Sequence, residues 1–370
     1  MRARLSIVAA LAVLVAAGGL TGCKPTSDGL WNYHPISIQG SYQPLVGDFV
    51  GDEATDIVWY APGPGADSLW VGQVGKRGVD AFERLPLRVG GDYEPVVGDF
   101  AGDEHDDILW YHPDRPGHTL WVAEGSSRSF SSQWIRLPDG EARVLADHRG
   151  PGHKDDLFVQ AARRFVLFDD AGTAATTLVE VAVSRIFPLV IGDFDGDDLD
   201  DIYFWGGHQP SYLWTVDEDG SYYSRYSVGP EGPFTPVVIR RETTDAILWW
   251  ASTEADRYSL FEGARLDYVQ LPQLRVRGRA TATGTDGAVI TIDDDREALF
   301  VDAVDRGEFY ELSLSNHDKS TDQDPLPGDF DGDGLLDLFW YGSGGIPDEL
   351  WYLEPEPAGS APSANRLPVG

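Results

Sequence analysis

Short apolar segments separated by turn-forming residues recur along most of the chain. Between Tyr93 and Pro138 four of them follow one another, YEPVVGDF, DDILWYHP, HTLWVAEG and SSQWIRLP, joined by Gly-, Pro- and Asp-rich turns. Segments of this length between such turns predict β-strands. The second segment is apolar on both faces, from Ile108 to Tyr111. A strand of that kind must be covered on both sides. The stretch therefore predicts a unit of four antiparallel strands packed between neighbouring units.

The same unit is repeated along the chain. Four clear copies begin at Val46, Val97, Ile191 and Pro327. Their first aspartates are 51, 94 and 136 residues apart, which is close to one, two and three times about 47. Three fainter copies fill the gaps, beginning at Ala146, Pro236 and Arg279. The sequence therefore predicts an all-β protein, a seven-bladed β-propeller of four-stranded antiparallel blades over residues 30–370.

Two features of this architecture stay open at the level of sequence. A stacked solenoid of the same repeats is the alternative to a closed ring, although no polar capping repeat is visible at either end. The last blade has two possible completions. Its fourth strand is either the C-terminal NRLPVG, which resembles the RLP endings of earlier units, or is added by LWNYHPISIQG from Leu30.

Aspartates recur at fixed positions in the turn after the first strand of each clear copy. Counting from the first aspartate, two loops carry carboxylates at positions 1, 3, 5 and 9, and these eight residues are Asp193, Asp195, Asp197, Asp201, Asp329, Asp331, Asp333 and Asp337. Ca²⁺ takes six to eight oxygen ligands, and carboxylates this close together repel one another without a cation. The two loops are predicted to bind calcium as a structural cofactor, with solvated acidic turns as the alternative.

The pattern resembles the FG-GAP (VCBS-type) calcium repeats of integrin α-subunit propellers. The likeness rests on the Gly-Asp-Phe lead and the hydrophobic strand after position 9, and it covers the chain from about residue 36. It implies that the backbone carbonyls of Leu199 and Leu335, at position 7, also bind the ion. An EF-hand is excluded, because its twelfth position needs a glutamate and here carries Phe204 or Trp340.

Three further loops depart from that pattern. The family has an oxygen ligand at position 3, where two loops carry Val50 and Ala101. Those two loops are predicted to bind calcium weakly or not at all, through Asp48, Asp52, Asp56, Asp99, Asp103 and Asp107. The loop after Asp147 contains Arg149, Pro151 and Lys154, and no ion is expected there.

The N-terminus predicts export and a lipid anchor. Arg2 and Arg4 precede an apolar run that ends in Leu20-Thr21-Gly22-Cys23, and Cys23 is the single cysteine. The ending is similar to a bacterial lipobox, which implies cleavage after residue 22 and lipidation of Cys23. Residues 1–22 are thus a predicted lipoprotein signal peptide, and residues 23–29 a lipidated cysteine with a short tether. The protein is expected on the bacterial cell envelope, and the sequence does not indicate which membrane leaflet holds the lipid.

Charge and motifs then limit the function. With 61 acidic and 28 basic residues the formal charge is −33, which disfavours nucleic acid as a partner. No Gly-x-Ser-x-Gly or metalloprotease pattern occurs, so an enzyme is not expected, although a glycan-active one stays possible among so many carboxylates. The expected function is an extracytoplasmic binding or adhesion module for a protein or polysaccharide. The alternative is a lectin-like propeller, with Tyr222, Tyr223 and Tyr226 as candidate sugar platforms.

Overall fold

The protein, in this computed structural model, is an all-β molecule. The structure describes residues 31–113, 117–137, 142–147, 154–161, 164–169, 176–182, 189–205, 211–216, 222–227, 232, 234–240, 244–250, 257–262, 265–270, 279–282, 288–293, 296–303, 308–313, 323–353 and 365–366. The predicted signal peptide and the predicted lipidation site at Cys23 lie outside these ranges.

The described part of the chain contains 29 strands and three 3-10 turns. The turns are Gly78–Asp80, Gly125–Ser127 and Ser343–Gly345. The strands are β1 (Trp31–Ile36), β2 (Gln43–Gly47), β3 (Asp56–Tyr60), β4 (Asp67–Gly72), β5 (Phe82–Leu87), β6 (Glu94–Gly98), β7 (Asp107–Tyr111), β8 (Gly117–Ala123), β9 (Phe130–Arg136), β10 (Ala142–Asp147), β11 (Asp156–Ala161), β12 (Arg164–Asp169), β13 (Thr176–Ala182), β14 (Leu189–Gly192), β15 (Asp201–Phe204), β16 (Ser211–Val216), β17 (Tyr222–Ser227), β18 (Thr235–Ile239), β19 (Ala246–Trp250), β20 (Arg257–Glu262), β21 (Arg265–Gln270), β22 (Arg279–Ala282), β23 (Ala288–Asp293), β24 (Arg296–Ala303), β25 (Glu308–Ser313), β26 (Gln323–Gly328), β27 (Asp337–Gly342), β28 (Asp348–Leu353) and β29 (Asn365–Arg366).

These strands form seven antiparallel sheets within the described ranges. Sheets I to V are β2–β5, β6–β9, β10–β13, β14–β17 and β18–β21. Sheet VI is β22–β25 with β29 at its edge, and sheet VII is β26–β28 with β1 at its edge. The four strands predicted between Tyr93 and Pro138 are confirmed as β6–β9 of sheet II.

The sheets are arranged as in a β-propeller, with their first strands side by side. Strand β2 of sheet I contacts both β6 of sheet II and β26 of sheet VII, and β6 contacts β10. Farther along the chain β18 contacts both β14 and β22. Because sheet VII contacts sheet I, the first and last repeats are neighbours. A stacked solenoid holds its terminal repeats apart, so that alternative is wrong.

The two ends of the chain complete different sheets. Strand β1 pairs with β28 along its whole length, from Trp31 opposite Leu353 to Ile36 opposite Asp348. The N-terminal completion of the last repeat is therefore confirmed. The completion by the C-terminal NRLPVG is wrong, because β29 pairs with β25 of sheet VI, at Tyr310 opposite Arg366. The edge of β28 is already occupied by β1, which leaves β29 to pair elsewhere.

Apolar second strands form the contacts between sheets, as their pattern predicts. Every residue of β3 and of β7 is buried. Trp59 of β3 packs against Phe339 and Tyr341 of sheet VII, with ring centroids 5.2 and 5.0 Å apart. On the other face of β3, Tyr60 lies 5.0 Å from Trp110 of sheet II. One strand thus contributes aromatic side chains to two inter-sheet cores.

The Gly-Asp-Phe motif has a packing explanation at two of its three positions. Its phenylalanine is buried in each clear repeat, as Phe49, Phe100, Phe194 and Phe330. Its glycine leaves room for a side chain of the next sheet. A Cβ atom on Gly47 would lie 2.6 Å from Asp106 Oδ2, and one on Gly328 would lie 2.8 Å from Thr55 Cγ2.

That neighbouring side chain makes a two-way hydrogen-bonded junction. The backbone N–H of Asp106 donates to the carbonyl of Asp48 (2.9 Å), and Asp106 Oδ2 accepts from the N–H of Asp48 (2.8 Å). We call this arrangement the junction clamp. It recurs at three more junctions, formed by Thr55 with Asp329, Asp155 with Asp99, and Asp245 with Asp193. In every case the residue just before a second strand holds the first aspartate of the preceding repeat.

Candidate metal centre

The four aspartate loops lie between the first and second strands of their sheets and share one backbone conformation. They are loop I (48–56), loop II (99–107), loop IV (193–201) and loop VII (329–337), named after their sheets. Position 4 has a positive φ in all four, at Gly51, Gly102, Gly196 and Gly332. Position 6 does as well, at Glu53, Glu104, Asp198 and Gly334. The two complete loops and the two partial ones thus follow the same path.

The first aspartate holds that path by accepting backbone N–H groups. Asp193 Oδ1 accepts from Gly196 at 2.7 Å, and its Oδ2 accepts from Asp198 at 3.1 Å. Asp329 Oδ2 accepts in the same way from Gly334 at 2.8 Å. N–H groups that converge on a carboxylate stabilise its charged form, which is the form a cation needs.

Loops IV and VII each bring three carboxylates together. Oxygens of Asp193, Asp195 and Asp197 lie within 4.8 Å of one another, and so do oxygens of the matching set in loop VII. That set is Asp329, Asp331 and Asp333. These six are the predicted residues at positions 1, 3 and 5. Of the predicted position 7 residues, Leu335 is buried and Leu199 half-buried, and the N–H of each donates to the position 5 carboxylate.

The predicted ligands at position 9 lie outside the two clusters and accept backbone hydrogen bonds. Asp201 and Asp337 are not members of the two groups, and both are fully buried at the start of a strand. Asp337 Oδ2 accepts the N–H of Phe330 at 2.8 Å, and Asp201 Oδ2 accepts that of Phe194 at 3.0 Å. One carboxylate oxygen at position 9 is therefore committed to closing the loop.

Loop VII retains carboxylate oxygens that a cation would satisfy. Oδ1 of Asp331 and Oδ1 of Asp337 are buried and accept no hydrogen bond. Burial, together with the charge of nearby Asp331, raises the pKa of Asp337 to about 9. Burial also raises the pKa of Asp329 to about 6. A buried, unsatisfied oxygen is costly, and a divalent cation would both satisfy these oxygens and favour their charged form. The donor set therefore fits a hard cation such as Ca²⁺.

Loops I and II lack such a group within the described residues. Their third position is Val50, which is buried, and Ala101, so no carboxylate projects from it. Their position 9 aspartates serve as acceptors. Asp56 accepts from Phe49 at 2.9 Å and from Gly72 at 2.9 Å, while burial raises its pKa to about 8. Residues 148–153, which include most of the loop predicted to bind no ion, lie outside the described ranges.

A built-in cation replaces the first aspartate in sheet V. Arg240 stands at position 1 and reaches Asp200 Oδ1 at 2.5 Å and Asp245 Oδ2 at 2.7 Å. Both carboxylates are buried, and they raise the pKa of Arg240 further above its ordinary value. The sequence signal was present, because arginine occupies the site where the clear repeats carry aspartate.

Comparisons with known proteins support the fold. No protein-family profile matches the chain, and no curated protein does either. The chain is similar in structure to a lectin from Agrocybe aegerita, described in a study of its recognition of non-reducing terminal N-acetylglucosamine. The TM-score is 0.57 at 14% identity, over 76% of this chain and 81% of the lectin. It is also similar to BBS1N in complex with ARL6DN, with a TM-score of 0.53 at 13% identity, over 90% and 99% of the two chains.

These similarities and the sheet arrangement define the chain as a β-propeller protein with two acidic clusters that could bind metal. Nothing at this level of identity extends beyond the fold. The helical segments in the described ranges are single short turns, and none could span a bilayer.

Proposed function

We propose that this protein is a seven-bladed, calcium-stabilised β-propeller of the FG-GAP type, which acts as a binding module on the bacterial cell envelope. Each of the seven sheets is one blade, and loops IV and VII each bind one Ca²⁺. The ion's role is structural, because each loop joins two strands at a junction with the next blade. No catalytic step is part of the proposal.

The observation that carries the proposal is the pair of three-carboxylate clusters on one repeated loop backbone. In loop VII the cluster also contains buried oxygens that accept no hydrogen bond. A chain that contains a single cysteine has no intramolecular disulfide to stabilise it outside the cell. Divalent ions that pin the blade hairpins would supply that stability instead.

Calorimetric melting with calcium and with excess chelator tests the metal assignment. Calcium should raise the melting temperature of the wild-type chain. The double variant Asp195→Asn, Asp331→Asn should lose most of that shift and should melt near the wild type in chelator. Asp103→Asn, in a loop without a cluster, is the matched control and should keep the full shift. An equal loss of stability in both conditions would show that the two aspartates do not act through a metal.

The location on the envelope rests on the lipobox-like ending at Cys23 and is tested in cells. Cys23→Ser should release the protein from the membrane fraction, because cysteine is the residue that accepts the lipid. Ser27→Ala, which alters the predicted tether but not the cysteine, should leave the protein in the membrane fraction. Membrane association that survives Cys23→Ser would remove the lipid anchor from the proposal.

A lectin-like function is the second candidate, and two observations favour it. The chain has the fold of a lectin that recognises terminal N-acetylglucosamine, and sheet II presents an exposed tryptophan. Trp134, at 69% exposure, lies over Gly117, where a Cβ atom would be 2.3 Å from its ring. An exposed indole face is a surface on which a sugar ring can stack. The predicted sugar-platform tyrosines lie in β17, and their side chains are outside the described residues.

Titration with N-acetylglucosamine oligosaccharides, followed by tryptophan fluorescence, tests this candidate. A saturable change that Trp134→Ala abolishes would support it. Val79→Ala, which removes another exposed apolar side chain, should not alter the titration. A titration that is flat for the wild type would exclude this sugar class.

A further inference from the structure

A segment of sheet I lies over the metal loop of sheet VII. The nine residues 73–81 join β4 to β5. Within them the N–H of Gly75 donates to the carbonyl of Asp331 at 2.6 Å, and the methyl groups of Val74 lie against Gly332. We call residues 73–81 the covering segment. It brings groups of one blade into direct contact with the candidate metal ligands of another.

The covering segment places a guanidinium on those ligands. Nε of Arg77 forms an ion pair with Asp331 Oδ2, and its Nη2 lies 3.1 Å from Asp333 Oδ2. Arg77 also lies over the ring of Tyr352, with its Cζ 4.8 Å from the ring centroid. The planar guanidinium thus contacts two carboxylates and one aromatic face, which fixes its position more firmly than a solvated surface pair.

Arg77 leaves part of the cluster unsatisfied. Although it binds Asp331 Oδ2, the other oxygen of that carboxylate remains buried without a hydrogen bond, as does Oδ1 of Asp337. One guanidinium therefore does not replace a divalent ion, which can bind several oxygens at once. Two cations within a few ångströms of each other also repel strongly, so Arg77 and Ca²⁺ would not share these oxygens.

Loop IV offers an internal comparison. Its neighbour is sheet V, in which only residues 263–264 separate β20 from β21. Two residues cannot form an arm like the nine-residue covering segment. The two metal loops carry the same carboxylates at positions 1, 3 and 5, but the matching connection beside loop IV is far shorter than the covering segment.

We infer that Arg77 is a tethered cation that competes with calcium for Asp331 and Asp333. It offsets part of the negative charge of loop VII when calcium is absent and must leave these carboxylates when calcium binds. Loop VII therefore binds calcium more weakly than it would without Arg77, so higher calcium concentrations are needed to fill it. The inference rests on the proposed calcium binding and adds its regulation at one of the two sites.

The test is a calorimetric calcium titration of the full-length chain with one loop silenced. In an Asp195→Asn background, where loop VII is left to titrate, Arg77→Met should tighten calcium binding by about ten-fold or more. The calcium affinity of Arg77→Lys, which keeps the charge but loses the planar guanidinium, should lie between that of the chain with Arg77 and that of Arg77→Met. In an Asp331→Asn background, where loop IV is left, Arg77→Met should leave calcium affinity unchanged.

Melting in chelator is a second readout that also checks folding. Arg77→Met should melt at a lower temperature than the wild type without calcium, because its cluster has lost a counter-charge, and the difference should shrink when calcium saturates. Equal affinity of loop VII with and without Arg77 would overturn the inference and leave the proposed function standing. Absence of calcium binding at both loops of the wild type would overturn the proposed function and this inference together.

Discussion

At the scale of single residues, the aspartate loops carry backbone strain that their sequence could relieve. Position 6 has a positive φ in all four loops, but only loop VII has glycine there, as Gly334. Loop I places Glu53 at the same position with a φ of 74°. A left-handed conformation costs a residue with a Cβ about 1–2 kcal/mol. Loop I is therefore held in its shape by its contacts, against the preference of its own residue.

We expect Glu53→Gly to stabilise the protein by about 1 kcal/mol, since glycine adopts this φ without a Cβ clash and some of the gain is lost to greater freedom in the unfolded chain. Glu53→Gln removes the same charge and keeps the Cβ, so it should change stability little. The reverse change in loop VII, Gly334→Ala, should destabilise by a similar amount. Denaturant unfolding in metal-free buffer measures all three, and a Glu53→Gln gain equal to that of Glu53→Gly would assign the effect to charge.

At the scale of strands and loops, the junction clamp is the recurrent contact between neighbouring blades. It satisfies the N–H and the carbonyl of the first aspartate in one blade with two groups from the next. Aspartate provides the acceptor at three described junctions, and Thr55 provides it at the fourth through its hydroxyl, 2.9 Å from the N–H of Asp329. Only a short side chain with an acceptor oxygen meets this geometry.

Asp106→Thr should therefore be tolerated, because it copies the junction that Thr55 forms, whereas Asp106→Val should destabilise by about 1–3 kcal/mol. Valine has the shape of threonine but leaves the N–H of Asp48 without its acceptor in a partly buried site. Thermal melting of the two variants makes the comparison at constant side-chain volume. Equal stabilities would mean that the clamp contributes through packing and not through its hydrogen bond.

The repeat explains which elements could be predicted from sequence. Strands β6–β9 and the carboxylate clusters recur at a fixed spacing, so one interpretable copy located the others. The clamp was also visible, in the Asp106-Asp107 and Asp155-Asp156 pairs, but of these four residues only Asp107 was interpreted, as a ligand. Contacts that occur once had no such signal. Arg77 lies 254 residues from Asp331 in the chain, and β29 ends like a fourth strand yet pairs with β25.

At the scale of the whole molecule, the negative net charge and the buried carboxylates both reduce the stability of the fold when the carboxylates are charged. The chain has a formal charge of −33, and a field of one sign destabilises a compact state. Burial raises the pKa of Asp56 to about 8, of Asp107 to about 7 and of Asp337 to about 9. An unfolded aspartate titrates near pH 3.9. Between that value and these raised pKa values the folded chain binds more protons than the unfolded one.

The stability that these groups contribute in metal-free buffer should therefore be fully present below about pH 4. It should be lost as the pH rises from about 4 to about 9, because each group contributes up to about 1.4 kcal/mol per pH unit between its unfolded and folded pKa values. Calcium should weaken this dependence of stability on pH, because it holds the loop VII carboxylates in their charged form. Asp337→Asn should weaken the pH dependence of stability in the absence of calcium, because the amide does not titrate and still offers an oxygen that accepts the N–H of Phe330. Denaturant unfolding at several pH values, in about 0.5 M salt to screen long-range repulsion, isolates the buried groups. A stability that rises across this range would contradict the assignment of these aspartates as protonated in the metal-free fold.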